Sequence, residues 1–230
     1  MAISNDAGIR AWDGRYQDGT HTSAWPWTEL VQLIERHAKP LLATTGRCDR
    51  ILELGFGFGA NIPYLIRLGA EYHGIDGSPT CANAVAGRFP EIATRLHVGN
   101  FCKELPDIGP LDLVVDRGSL TCCPNDALAA AMKLVLAHLR PGGVFCGVSW
   151  FGKDHAEFLR GEPGPDPHTR QGYTDGPYAN TGTVHFTDEH NLRDLCEGFR
   201  VVRIDRKTTD TCHPERRRES HFNLLLAKPN

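Results

Sequence analysis

The run Ile51-Leu52-Glu53-Leu54-Gly55-Phe56-Gly57-Phe58-Gly59-Ala60-Asn61 is an apolar strand that passes through a loop with glycine at every second position and on into a helix. Strand, glycine loop and helix in that order are how α/β proteins build a nucleotide pocket. Glycine removes the Cβ that would block close approach. The first N–H groups of the helix have no partner within it, so the loop can present several donors to a ligand. Glu53 stands just before the first glycine.

That carboxylate narrows the ligand. A dinucleotide would bring its pyrophosphate to this turn, where an acid is a like-charge neighbour in a partly desolvated pocket. S-adenosylmethionine brings an ammonium and a sulfonium instead, and a carboxylate facing its methionine end attracts. The loop therefore reads as a methyl-donor site with S-adenosylmethionine as the expected cofactor. Gly55-x-Gly57-x-x-Ala60 also fits the fingerprint of an NAD-dependent oxidoreductase, and Glu53 and Gly59 argue against that alternative.

The chain has 230 residues, 40% of them hydrophobic, enough for one α/β domain with a full core and too few for two comfortable ones. We expect a single domain over 1–230, with an N-terminal arm and helix (1–45), a cofactor-binding core (46–150), a variable substrate loop (151–186) and a closing helix and strand pair (187–230). A net charge of −3 gives no field favouring nucleic acid or an anionic membrane. No run approaches the roughly 18 apolar residues of a membrane helix, and no signal pattern opens the chain. We expect a cytoplasmic protein without nucleic-acid or membrane partners, its oligomeric state not legible. The eight cysteines show no C-x-x-C pair and no metal-ligand spacing, so reduced thiols and no metal are expected. Of the neighbours Cys122 and Cys123, one should be buried and one should line a cleft; a thiol-metalloid substrate site is the sharper alternative.

From 50 to 150 strands and helices alternate, implying a doubly wound parallel sheet. Strand two closes on Asp76, where a ribose is read, and Ser78-Pro79 then opens a helix with a cap and a first-turn proline. A central strand over 111–115 ends in Asp116-Arg117-Gly118-Ser119, polar residues that belong to the crevice. Upstream, Thr28 should cap a helix that Pro40 ends. Before it, Trp12, Tyr16, Trp25 and Trp27 either pin the arm onto the domain or make Tyr16 and Trp25 a lid over the cofactor. The glycine- and proline-rich segment 152–183 carries His155, His168, Arg170, Tyr173 and Tyr178, and forms either an acceptor pocket or a surface loop touching no ligand. Two strands, 199–204 and 221–227, should close the sheet as an antiparallel pair, with Arg216, Arg217 and Arg218 at a solvated hairpin tip.

With these residues in place, the chain resembles the class I S-adenosylmethionine-dependent methyltransferases. The resemblance rests on Glu53-x-Gly55-x-Gly57-x-Gly59, Asp76, Asn100-Phe101, the strand ending at Asp116, and Arg140-Pro141-Gly142-Gly143. It implies a seven-stranded Rossmann-like sheet of order 3-2-1-4-5-7-6 with the last strand antiparallel. It also implies that Gly55, Gly57 and Gly59 line the methionine portion, with Glu53 directing charge toward the amino group. Asp76 would accept from both ribose hydroxyls, Gly77 and Ser78 would lie beside the adenosine, and Asn100 and Phe101 would meet the adenine. Asn100 departs from the aspartate of many relatives. The segment Trp12-Asp13-x-Arg15-Tyr16…Gly19…Trp25 resembles the entry segment of small-molecule methyltransferases of the thiopurine and tellurite-resistance type. Together with Gly59-Ala60-Asn61, Gly74-Ile75-Asp76-Gly77-Ser78 and Asp116-Arg117-Gly118-Ser119-Leu120, it is also similar to methyltransferases of bacterial surface-polysaccharide pathways.

A methyl transfer needs an acceptor atom held about 3 to 3.5 Å from the donor carbon in a dry site, and an alcohol acceptor also needs a base. Asp116 and His185 are the two candidates for that base, with a hydrogen-bonded structural histidine as the plainer reading of His185. Arg117, His155, His168, Arg170, Tyr173 and His185 would surround the acceptor, and the cations among them favour an anionic one. The expected activity is methylation of a polar small molecule, on oxygen of a sugar-like or anionic metabolite. Transfer to nitrogen or sulfur and a non-catalytic adapter of the same fold are the alternatives.

Overall fold

Leu52 and Leu54 point to one face of β1 (Arg50–Leu54) and Ile51 to the other, and all three are fully buried. A strand apolar on both faces belongs in the middle of a covered parallel sheet, and β1 pairs in parallel with β2 (Glu71–Asp76) on one side and β4 (Leu111–Arg117) on the other. The structure is a computed structural model and describes residues 5–44, 46 and 48–230. With β3 (Leu96–Val98), β5 (Leu139–Phe151), β9 (Arg200–Thr211) and β10 (Arg217–Ala227), these strands form one seven-stranded sheet of order β3-β2-β1-β4-β5-β10-β9. β10 runs antiparallel to both β5 and β9. Counted within this sheet, that is the expected order with an antiparallel closing pair.

Side chains alternate between two cores, as the period of a strand requires. On β4, Leu111 and Val114 meet one helical layer while Leu113 and Val115 meet the other. The first layer contains α6 (Asn125–His138), which buries Ala127, Leu128, Ala131, Met132 and Val135 along one stripe, and α7 (Glu189–Leu195), capped by Asp188 accepting from the Asn191 amide at 2.9 Å. The second contains α2 (Thr28–Leu33), α3 (Lys39–Thr44), α4 (Ile62–Ile66) and α5 (Pro79–Arg88). Ser78 caps α5 by accepting from the Cys81 amide at 3.0 Å. No helix among the described residues is long and apolar enough to cross a membrane.

Four features differ from expectation. Pro40 does not end its helix: a π turn over Ile34–Ala38 sends the Lys39 amide back to the Ile34 carbonyl, and the chain continues into α3. Widening by one residue lets the ring pass the preceding turn, where its missing donor is tolerated. Thr28 lies inside α2; Trp27 is the cap, and its amide goes to Asn61 Oδ1 at 3.1 Å. The segment after β5 builds a second, three-stranded sheet from β6 (Glu162–Pro163), β7 (Thr169–Gln171) and β8 (Val184–His185), with Tyr173, Val184 and Phe186 as its own small core. Arg217 also leaves the solvated tip. It reaches Glu157, only 1% exposed, at 3.0 Å, where Arg160 makes a second ion pair.

Candidate active site

The glycine loop leaves β1 in a backbone conformation that side chains disfavour. Gly55 has φ +65, and a Cβ there would stand 2.3 Å from Ser119 Cβ. Gly57, φ +51, turns its amide onto Asp76 Oδ2 at 2.8 Å, and a Cβ on it would meet the Tyr16 hydroxyl at 3.2 Å. Gly59 lies behind the turn, its carbonyl taking Arg88 at 3.2 Å. In front of the loop opens a cavity of about 550 Å³, the size of a small-molecule site. Gly55, Gly57, Asn61, Asp76, Gly77 and Ser78 form one end of it, and Phe101 joins them.

The roof is α1 (Asp6–Gln17), which turns Ile9, Trp12 and Tyr16 into the cavity. Polar contacts fasten it across the strand ends. Asp13 bonds the Ser78 hydroxyl and takes the Thr80 amide at 3.3 Å, and Asp6 pairs with Lys103 at 2.9 Å. Asp6 also receives the Asn100 side-chain amide at 3.2 Å, so Asn100 is spent on holding the roof and is not on the cavity wall. Trp25 is 83% exposed and away from the cavity, which corrects its assignment as a lid; Trp27 lines the cavity instead, carrying the Arg117 guanidinium 3.3 Å above its ring.

Three buried carboxylates stand at adjacent strand ends. Burial pushes Asp76 up to about 6 against the pull of the Gly57 and Ser78 amides. Burial also pushes Glu53 up to about 7, with Asn61 at 2.9 Å and Tyr72 at 2.7 Å as its donors. Asp116 is raised by burial too. Uncompensated acids packed in low dielectric favour a cation nearby, and an ammonium or sulfonium supplies one. Each Asp76 oxygen uses one lone pair on a backbone amide and keeps another, so both can still accept from hydroxyls facing the cavity. Glu53 is not on the wall; it acts through Asn61, which is.

The acceptor residues expected from the sequence do not meet here. His185 is 1% exposed, its Nε2 bonded to Asn191 Oδ1 at 3.0 Å, and burial lowers it to about 4. His168 stacks on it at 5.7 Å, Arg170 lies 3.9 Å above the Phe158 ring, and the Tyr173 hydroxyl donates to the Glu157 carbonyl at 2.9 Å. His155 is buried behind the wall among Phe151, Tyr178 and His221. None of the five lines the cavity. Asp116, fully buried, is consumed by the Ser119 and Leu120 amides, the Ser119 hydroxyl and the Trp150 indole, so it holds the loop after β4 in place. His185→Gln is accordingly expected to leave cofactor binding and turnover unchanged and to lower stability by about 1 to 2 kcal/mol, a melting temperature lower by several degrees. A loss of turnover at unchanged stability would contradict this placement.

Arg117 does line the cavity, as do Phe151, Pro177, Tyr178, Thr181 and Val184 from the expected substrate segment, and residues missed in the sequence complete the lining: Ser149, Lys207, Thr209, Glu219, His221 and Asn223. The register pairs Lys207 with His221 and Thr209 with Glu219, so alternate residues of both strands face the cavity. Ser149 has φ +61, unusual for a residue with a side chain, and its amide is held by Asn223 Oδ1 at 3.0 Å beside a register shift in β10. Cys123 is buried and Cys122 lines the cavity, but burial pushes the Cys122 thiol up to about 12. A protonated thiol is a poor nucleophile or metal ligand, so Cys122→Ser should retain turnover within about threefold; its abolition would restore the thiol-metalloid reading.

Residues 51–143 match the family model described as a methyltransferase domain. No curated protein matches the chain. Among solved structures it is similar to a SAM-dependent methyltransferase from Methanosarcina mazei, at 20% identity over 79% of this chain and 93% of that one with a TM-score of 0.62. The N-methyltransferase NodS from Bradyrhizobium japonicum, solved with S-adenosyl-L-homocysteine, is 17% identical over 85% and 87% of the two chains, TM-score 0.56. The CcbJ methyltransferase from Streptomyces caelestis is 17% identical over 86% and 95%, TM-score 0.59. At these identities the likeness is one of fold, and the matched domain adds the chemistry. Domain, sheet order and an acid-floored glycine pocket define the class: the chain is an enzyme, a SAM-dependent methyltransferase. S-adenosylmethionine is its cofactor.

Proposed function

We propose that the enzyme methylates a hydroxyl oxygen of a polar, sugar-like or anionic small molecule held at the Arg117 end of the cavity. One observation carries this reading: a single roofed cavity runs from the Gly57 and Asp76 wall to a wall of polar and titratable side chains, so donor and acceptor would share one enclosed space. The bound donor supplies a methyl carbon activated by positive sulfur. For the protein, the task is to place, orient and keep water out. In this reading Asp76 holds the ribose hydroxyls and Asn61, backed by Glu53, faces the methionine end. The adenosine lies along Gly77 and Ser78 between Ile9 and Phe101. Arg117, whose Nε has no hydrogen-bond partner among the described residues, binds an anionic group of the acceptor.

S-adenosylhomocysteine at about 100 times its Kd should stabilise the protein by about 2.7 kcal/mol, raising the melting temperature by several degrees. Labelled methyl should then pass from S-adenosylmethionine to members of a panel of sugars, sugar phosphates and hydroxycarboxylates. Transfer confined to amines or thiols would overturn the oxygen assignment, and no thermal shift would overturn the site.

A further inference from the structure

We infer that His221 is the general base that takes the proton of the acceptor hydroxyl, with Glu219 on the same strand face supporting it. This rests on the methyl-transfer reading above. The sequence candidates are spent: Asp116 on four donors and His185 behind the wall. Two histidines line the cavity, His21 and His221. His21 lies under the roof against Trp12 and Tyr16, and the charges acting on it, Arg15 and Arg117, both oppose a proton. His221 lies at the acceptor end, its ring 5.5 Å from those of Phe151 and His155. Burial keeps it below the ordinary histidine range, hence neutral and able to accept near neutral pH, while Glu219 and Glu29 favour the imidazolium that results and Arg117 opposes it. The groups around it are thus Glu219 from β10, Lys207 as its register partner on β9, Arg117 from β4, Glu29 from α2 and His155 beyond β5.

In the step, the acceptor oxygen forms a bond to the methyl carbon as the carbon–sulfur bond breaks, the electron pair staying on sulfur as the neutral thioether. The hydroxyl proton passes to the His221 imidazole, which leaves as imidazolium and returns the proton to solvent.

His221→Gln and Glu219→Gln test this together, in the full chain with the panel above. With His221→Gln, kcat on the best hydroxyl acceptor should fall about 100-fold or more while S-adenosylhomocysteine affinity stays within about twofold. With S-adenosylmethionine saturating at every pH, the wild-type kcat should fall on the acid side as His221 protonates, and His221→Gln should lose that limb. Glu219→Gln should shift the limb to lower pH, because the carboxylate no longer favours the proton. Independently of turnover, NMR of histidine-labelled protein in the S-adenosylhomocysteine complex should show a His221 resonance, identified by its loss in His221→Gln, that titrates below the free-histidine value and lower still in Glu219→Gln. Retained kcat in His221→Gln, an unchanged acid limb, or no methylated hydroxyl in the panel despite cofactor binding would each overturn the base assignment. Failure of S-adenosylhomocysteine to bind would instead overturn the methyl-transfer site itself.

Discussion

Asp76→Ala is expected to abolish the thermal shift produced by S-adenosylhomocysteine while leaving a folded protein. Asp76 lies at the end of β2, 6% exposed, with Oδ2 on the Gly57 amide and Oδ1 on the Ser78 amide, both at 2.8 Å. It does two things: it fixes the first turn of the glycine loop, and it presents two free lone pairs to the cavity. Bonds from hydroxyls to a carboxylate are worth about 1.5 to 3 kcal/mol each, so losing two costs affinity at least 100-fold. The effect on the unliganded fold is smaller because two changes oppose. Two amides lose their acceptor, and a carboxyl that burial raises from 3.8 to about 6 is no longer forced to ionise near pH 8. A variant that folds and still shows the full shift would place the ribose elsewhere.

Glu53→Gln is expected to separate stability from binding. The folded Glu53 carboxyl loses its proton near pH 7, against 4.5 for an ordinary one. Between these values the folded chain binds more protons than the unfolded one, so stability falls as pH rises through the window, and above it the whole penalty is present, about 3 kcal/mol. Glutamine keeps both partners, its oxygen taking the Asn61 amide and its amide donating to the Tyr72 hydroxyl oxygen. At pH 8 the unliganded variant should therefore melt several degrees higher than wild type. Its affinity for S-adenosylhomocysteine, whose ammonium would lose the negative charge behind Asn61, should drop about tenfold or more. Wild-type affinity should weaken from pH 8 to pH 6 as Glu53 and Asp76 gain protons, and the variant should lose part of that dependence. Lower stability with unchanged affinity would contradict the account of Glu53.

The elements that package apolar surface were legible in the sequence. The glycine loop, the cap at Ser78 and the stripe of α6 are local patterns, and the alternation of β and α between 50 and 150 left little choice of sheet. The acceptor end was not legible, for two physical reasons. The arm of β9 and β10 beyond Phe222 is polar, so no apolar alternation marks Lys207, Thr209, Glu219 and His221 as strand residues; their pairing comes from each other's backbone. Conversely, the many histidines and aromatics between 151 and 186 are the chemistry expected of a pocket; Phe151 and Tyr178 do reach the cavity wall, but Phe158, Tyr173 and Phe186 build a satellite core behind it. Burial of His185 depends on Asn191, which in turn donates to Asn125 at 2.8 Å on another helix, a contact no local pattern shows. The acids at the strand ends were readable in kind but not in function: Asp116 holds a loop and Glu53 acts through Asn61.

The most direct measurement is a calorimetric titration of the wild-type protein at pH 8 with S-adenosylhomocysteine and, separately, with NADH. A pocket built from Gly57, Asn61 and Asp76 over buried carboxylates should bind one S-adenosylhomocysteine per chain and show no saturable heat with NADH. Saturable NADH binding with none for S-adenosylhomocysteine would contradict it.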